Sequence, residues 1–325
     1  MTLHHVTPDA RTLHGRFSRD LVPVLTVDSG DRVRFTTLDA AWGELVQADP
    51  FAPATKFPRD AERDPGHALC GPVFVRGAEP GAVLEVRILG VRPGGWGWSG
   101  GGGIPTPLNV RLGLDQPPHF PIRWKIDADR GVATDARGRT IALAPFPGVI
   151  GLALAASGDH STVPPRAVGG NIDCRELIAG STLFLPVAVP GALLSAGDGH
   201  AVQGDGEVGQ VALECPLEAL ELELHVHAGP APKFPRAETP AGSIAFGFHE
   251  DLDEAMALAL DNMLDLLVER YDCERKEALA MASLAVNLRV TQVVNRVRGV
   301  HAILPHGALD GALALRKAAA ATETR

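Results

Sequence analysis

The segment Gly197-Asp198-Gly199-His200-Ala201-Val202-Gln203-Gly204-Asp205-Gly206-Glu207 interleaves glycines with two aspartates, a glutamate, a glutamine and a histidine, directly after an apolar run. Glycine at that density forfeits side-chain packing and costs backbone entropy, so a chain keeps it where the backbone turns tightly or approaches a ligand. The polar residues between the glycines could bind a metal, or hold a water for attack on a carbonyl. A pair of Asp-Gly hairpin turns with solvated carboxylates would use the same residues.

Other polar clusters accompany it: Asp39 with Glu44, His67 ahead of Cys70-Gly71-Pro72, Asp159-His160-Ser161-Thr162, and Gly169-Gly170-Asn171-Ile172-Asp173-Cys174-Arg175. Each alone is weak, because a single histidine is usually a hydrogen-bonded structural residue and Asn-x-Asp is common turn chemistry. Together, in glycine-rich sequence that packs poorly, they point to a hydrolytic site assembled from several separate loops. His225 and His227 form a further His-x-His that could chelate zinc on a strand. They share their face with Glu221 and Glu223, which reads as a solvated sheet face.

The elements that must hold these groups are mostly short strands. Val24 to Leu38 reads as a hairpin turning at Asp28-Ser29-Gly30-Asp31. Val83 to Leu89 alternates, with Leu84, Val86 and Ile88 on one face, and predicts a half-buried strand. Gly94 to Gly103, with Trp96, Trp98 and seven glycines, reads as a surface loop and a candidate lid. Phe184 to Val189 and Val208 to Glu214 are predicted strands on either side of the glycine-rich segment, which then lies in a loop between them. Ala219 to His227 alternates strictly.

A helical period appears only late. Leu252, Met256, Ala259, Leu260, Met263, Leu264 and Leu267 recur at spacings of three and four, with Asp251 as the cap and acidic residues in the first turn. A second helix is predicted after Asp272, followed by strands at Leu288 to Val294 and Val300 to Leu304. The fold class is therefore mainly β with a C-terminal α/β portion, read as one interlocked domain over residues 1–325. The alternative is an α+β chain split near residue 150. The alanine-rich residues 312–325 are expected to fray or be disordered.

Composition bounds the partners. The 325 residues include 36 glycines, 26 prolines and 16 aromatics, so aliphatic side chains must fill the core and turns must be frequent. A formal net charge of −9, without a basic run, argues against nucleic acid as a partner. No apolar stretch reaches about 18 residues, and Met1 to Asp20 carries charges where a leader needs an apolar core. A cytoplasmic protein with no membrane partner is expected, its four separated cysteines reduced.

Several stretches then resemble one family in order and spacing: Gly148-Val149-Ile150-Gly151, His160-Ser161-Thr162-Val163-Pro164-Pro165, Gly169-Gly170-Asn171-Ile172-Asp173, Leu185-Pro186-Val187, and Gly191 through Glu207. They resemble the acetamidase/formamidase family. Gly71 to Gly81 and Ser283 to Pro305, including Thr291-Gln292-Val293-Val294-Asn295, are similar to its earlier strand-turn and its C-terminal end. The likeness extends from about Val27 to Pro305. It implies hydrolysis of small aliphatic amides, of the formamide or acetamide type, to carboxylate and ammonia. It also implies a β-rich homo-oligomer using a divalent metal, zinc foremost, with calcium as a structural ion.

An amide is a poor electrophile and its nitrogen leaves only when protonated, so the site needs a nucleophile, an oxyanion donor and an acid. On the resemblance, Asp173 and His200 are expected as metal ligands, with His67 as a third from the N-terminal half. Glu207 or Asp205 would take the proton from water and pass it to ammonia. Asn171, Gln203 or backbone N–H groups would stabilise the oxyanion, and His160 and Trp98 would hold substrate.

The chain departs from the family pattern at Cys174, at Ala153-Leu154-Ala155 and at Gly100 to Pro105, which bears on substrate choice. One rival makes Cys174 the nucleophile of a cysteine amidase, although no lysine lies near it in sequence. The other is a catalytically idle binding protein on the same fold, against which the polar groups kept at Asp173, His200, Gln203, Asp205 and Glu207 argue.

Overall fold

The computed structural model describes residues 1–43 and 59–309. Glu44 and the alanine-rich tail at 312–325 lie outside the described residues. Among those described, no helix is long and apolar enough to cross a membrane.

Two large sheets organise the chain. The first runs, edge to edge, through Leu3–Val6, Arg32–Phe35, Leu217–His227, Val83–Pro93, Thr182–Pro186, Arg236–Thr239, Gly242–His249, Arg298–Pro305 and Asn287–Gln292. The second runs through Thr140–Ala142, Val132–Asp135, Phe120–Asp127, Trp96–Gly101, Leu213–Cys215, Leu194–Val202, Phe146–Gly151 and Gly169–Asn171. Leu69–Val75 pairs with the first half of Leu194–Val202 and also carries Leu13–His14 and Leu25–Val27. Both sheets draw strands from either side of residue 150. Their inner faces meet in one apolar core, where Val33, Val86 and Leu222 of the first sheet join Val73, Ile150 and Ala196 of the second.

Alternation builds this core directly. In Leu217–His227 the side chains of Leu220, Leu222 and Leu224 are fully buried, each contributing roughly 2 kcal/mol by removal from water. The opposite face is a charged ladder: Glu221 pairs with Arg34 at 2.6 Å, and Glu223 with Arg32 at 2.9 Å and Arg87 at 3.0 Å. His225 and His227 belong to this ladder, on Glu223 at 2.9 Å and Glu85 at 2.5 Å. The His-x-His is thus partnered by carboxylates on a polar sheet face.

The two longer helices sit at the C-terminal end, as expected, and a short helix at Pro107–Leu112 lies outside it. Leu252–Tyr271 is capped by Asp251, whose side chain accepts from the N–H groups of Asp253 and Glu254. Its buried stripe, with Ala255, Ala259, Met263 and Leu267, packs against Gly242–His249 and Arg298–Pro305. Gly247 permits the approach, for a Cβ there would stand 2.3 Å from the carbonyl oxygen of Ala255. Arg275–Ala285 follows as the second helix.

Three local expectations are overturned. Leu25–Val27 and Arg32–Phe35 do not pair as a hairpin. The turn at Asp28 to Asp31 exists, but it sends the two strands into different sheets, each in a parallel pairing elsewhere. Most of Gly94 to Gly103 is strand, not loop: Trp96–Gly101 pairs along Phe120–Asp127. Gly197 and Gly199 likewise lie inside the Leu194–Val202 strand. In both cases glycine serves close approach, not turning. A Cβ at Gly97 would lie 2.5 Å from Glu214 O, one at Gly197 2.3 Å from Ala68 O, and one at Gly199 2.5 Å from Leu217 Cγ. The strand predicted over Val208 to Glu214 shrinks to Leu213–Cys215.

Candidate active site

Because side chains alternate along a strand, Asp198 and His200 share a face of Leu194–Val202 while Gly197 and Gly199 press against neighbours on the other. The adjacent strand sets Glu214 directly opposite His200 in register. From the other side, Gly169–Asn171 leads into Asp173, and the turn after Val202 delivers Glu207, whose N–H bonds Gly204 O at 3.3 Å. Asp173, Asp198 and Glu207 have φ of 52°, 53° and 47°, the left-handed region that non-glycine residues avoid.

These groups converge in the interior. His200 Nε2 lies 3.4 Å from both Asp198 Oδ1 and Glu214 Oε1. Glu214 Oε1 also accepts from Ala212 N–H at 2.9 Å. Asn295 Nδ2 donates to Asp173 Oδ2 at 2.9 Å and reaches Glu207 Oε2 at 3.4 Å. Gln203 Nε2 donates to the Asp173 carbonyl at 2.8 Å. Phe146 meets the His200 ring edge-on, centroids 5.0 Å apart, and Gly148 leaves room for the imidazole, since a Cβ there would stand 2.6 Å from His200 Cε1. Asp173, Asp198, His200, Glu207 and Glu214 are all buried.

Four carboxylates around one imidazole in a dry site cannot all be charged. Burial, reinforced by Glu207, raises Asp173 well above the carboxylate range. Burial likewise pushes Glu207 up to about 8, helped by the charges of Glu214 and Asp198, and pushes Glu214 up to about 8. For Asp198 burial acts upward too, but the positive charges of His200 and His67 prevail and hold it far below the usual range. Burial works against the charged form of His200, yet Glu214 and Asp198 outweigh it and raise the imidazole well above 6.5.

The donor set suits a cation. Asp173, His200 and Glu207 place ligand atoms within 4.8 Å of one another, and so do Asp198, His200 and Glu214. Asp173 Oδ1, Glu214 Oε2 and both ring nitrogens of His200 are buried without hydrogen-bond partners. Orphaned buried polar atoms cost about 1–3 kcal/mol each, and a divalent ion bound through one His200 nitrogen and a neighbouring carboxylate oxygen would relieve part of that cost.

A cavity of about 280 Å³ opens beside this cluster, bordered by Asp198, Glu207 and Glu214 and by His67, Trp98 and Asn171. Of the sequence-predicted residues, Asn171, Asp173, His200 and Glu207 are brought together here. His67 faces the cavity, its Nδ1 fixed 2.9 Å from Thr162 Oγ1, but it joins neither metal-type group. Trp98 forms part of the wall and donates from Nε1 to Asp39 Oδ2 at 3.0 Å. Gln203 lies behind Asp173. Asp205 is exposed and ion-paired with Arg289 at 2.5 Å, away from this cavity, and His160 bonds the Ala156 carbonyl at 3.1 Å on another strand pair. Cys174 is fully buried, its thiol raised by burial and donating to Glu176 Oε2 at 3.2 Å, and it does not line the cavity.

Asp198, Glu214 and Asn295 were missed as site residues. The Asp-x-His spacing on a strand was the available signal for Asp198. Glu214 and Asn295 reach the site through strand pairing and chain return, which residue types alone do not reveal.

The model of the acetamidase/formamidase family matches residues 2–157 and 151–310. The chain belongs to that family. An acetamidase of Mycolicibacterium smegmatis is 32% identical over 251 residues, covering 60% of this chain and 61% of the relative. A formamidase of Methylophilus methylotrophus is 30% identical over 256 residues, covering 60% and 59%. The matches thus span about three-fifths of these curated relatives. The crystal structure of an acetamidase from Bacillus halodurans superposes with a TM-score of 0.82 at 26% identity, over 94% of this chain and 99% of that one. The mainly β architecture is that of the acetamidase structures.

Proposed function

We propose that this acetamidase/formamidase family member hydrolyses a small aliphatic amide, of the formamide or acetamide class, to carboxylate and ammonia. The carrying observation is the buried cluster of Asp173, Asp198, His200, Glu207 and Glu214 at the wall of a cavity of about 280 Å³, the scale of a small ligand. Relatives named acetamidase and formamidase support the reaction class.

A divalent cation, zinc foremost, would supply Lewis acidity toward the amide carbonyl. His200 is common to both metal-type triads, so it is its first holder. Asp198 and Glu214, the carboxylates nearest His200 Nε2 at 3.4 Å each, would complete the set. This assignment gives Asp173, expected from the sequence as a ligand, to proton transfer instead.

The carboxylates of Asp173 and Glu207 are buried close together, and their mutual repulsion with burial keeps a proton on the pair at neutral pH. The pair takes the proton of the attacking water and returns it to the departing nitrogen, which makes ammonia a competent leaving group. Asn295 holds both carboxylates in one geometry through its single NH₂ group. Asn171 anchors its Nδ2 on Val163 O at 2.9 Å, so its Oδ1 is left to accept from the substrate N–H₂. His67, held through Nδ1 on Thr162, borders the cavity and keeps Nε2 as an oxyanion donor. Trp98, Val163 and Val211 wall the acyl side and limit its length. Self-association into a homo-oligomer is part of this reading and is read out by mass in solution.

Ammonia release from formamide, acetamide and longer aliphatic amides tests the function. We expect turnover of the short members and a fall in kcat of about 10²–10⁴ in Glu207→Gln. A purified, metal-replete protein that releases no ammonia from any of them overturns it.

A further inference from the structure

Consecutive residues of this chain serve two different clusters. Asp173 faces His200 and Glu207, whereas Cys174 gathers with Glu176 and His301, three buried side chains whose donor atoms lie within 4.8 Å of one another. Cys174 Sγ is 3.2 Å from Glu176 Oε2, and His301 Nε2 is 3.5 Å from the same oxygen.

The partners on the far side of each group matter. His301 is completely buried, its Nδ1 is fixed 2.8 Å from Thr291 Oγ1, and its Nε2 has no hydrogen-bond partner. Glu176 Oε1 is taken by Arg289 Nη1 at 2.5 Å, and Arg289 is itself held by Asp205 at 2.5 Å. A bare imidazole nitrogen in the interior is costly. An imidazole and a carboxylate, each oriented through its other polar atom, form the arrangement that surrounds bound metals. The charges also close. A Cys174 thiolate with Glu176 and Asp205 carries three negative charges against one positive on Arg289, so a dication brings the cluster to zero.

We propose that Cys174, Glu176 and His301 form a second metal site, distinct from the cluster at the cavity, which takes a zinc-class divalent ion. One thiolate, one imidazole and one carboxylate select zinc over calcium or magnesium, which prefer oxygen alone. On binding, the Sγ–H proton passes to solvent and Sγ bonds the ion. The ion fastens the segment that carries Asp173 to the Arg298–Pro305 strand, so its role is to brace the site from behind. None of this depends on the amidase reading.

The test strips the full chain with a chelator and reloads it with cobalt(II). A thiolate-to-cobalt charge-transfer band is expected in the near ultraviolet, because among the described residues this is the one metal-type group that includes a sulfur. Cys174→Ser should lose the band and one equivalent of metal by elemental analysis, and His301→Gln should weaken both. Wild-type protein that takes up no cobalt, or takes it up without the band, overturns the site even if neither variant folds. So does a band that survives in Cys174→Ser. Normal ammonia release beside a missing band sinks this site alone.

Discussion

Asn295 and Asp173, 122 residues apart, are joined by a hydrogen bond of 2.9 Å from amide nitrogen to carboxylate. The same NH₂ group reaches Glu207, so the C-terminal part of the chain closes a site that the middle of the chain opens. Removing an orienting partner of this kind costs about 10–100-fold where it has been measured around metal centres. Asn295→Ala should lower kcat by that order with KM less affected, and Asn295→Asp should do worse by adding a further negative charge. Steady-state kinetics of the folded variants decide it; an unchanged kcat would remove Asn295 from the machinery.

Gly148 is the second point of leverage. A methyl group there would stand 2.6 Å from His200 Cε1 and 2.8 Å from Asp198 Oδ2. Gly148→Ala should therefore displace the imidazole and abolish most activity while the fold persists, with a melting temperature a few degrees lower, since overpacking typically costs about 1–3 kcal/mol. Circular dichroism and ammonia release, measured together, would separate this from general unfolding.

Metal dependence gives a third expectation. Chelation should silence ammonia release, and one added divalent metal should restore it. Full turnover by protein shown metal-free by elemental analysis contradicts a cation at His200.

Stability should depend on pH through His14. Burial pushes this histidine down to about 4, below its ordinary 6.5, while it keeps a 3.0 Å contact with Ser195 Oγ. Between those values the unfolded chain binds a proton that the folded chain refuses, so unfolding free energy rises with pH across the window. The contribution is complete above 6.5 and is lost as pH falls toward 4, roughly 3 kcal/mol in all. His14→Gln should flatten the dependence of melting temperature on pH relative to the parent. Parallel curves for the two proteins would refute the assignment.

What could be read in advance follows a physical divide. The alternation of Leu220, Leu222 and Leu224 and the period of Leu252 to Leu267 are local, and each produced its element; in the helix Ala259, Met263, Leu264 and Leu267 are buried, whereas Leu252 is exposed. The pairing of Asp173 with His200 was legible through the resemblance of the stretches that carry them to one family, and the two side chains do converge. Gly97, Gly197 and Gly199 misled, because a glycine that admits a neighbouring strand looks in sequence like one that makes a turn. Glu214 enters only through its register opposite His200, and Asn295 only through the chain's return. Long-range pairing of that sort has no signature in residue spacing.

The left-handed backbone at Asp173, Asp198 and Glu207 has an evolutionary edge. Each such residue is strained by about 1–3 kcal/mol, and their carboxylates repel one another in a site that excludes water. A glycine at any of the three would relax the backbone and thin the repulsion in one step. Inactive descendants of this chain should thus be easier to fold than the active form, and the site persists because selection on turnover opposes a steady thermodynamic pull toward its loss.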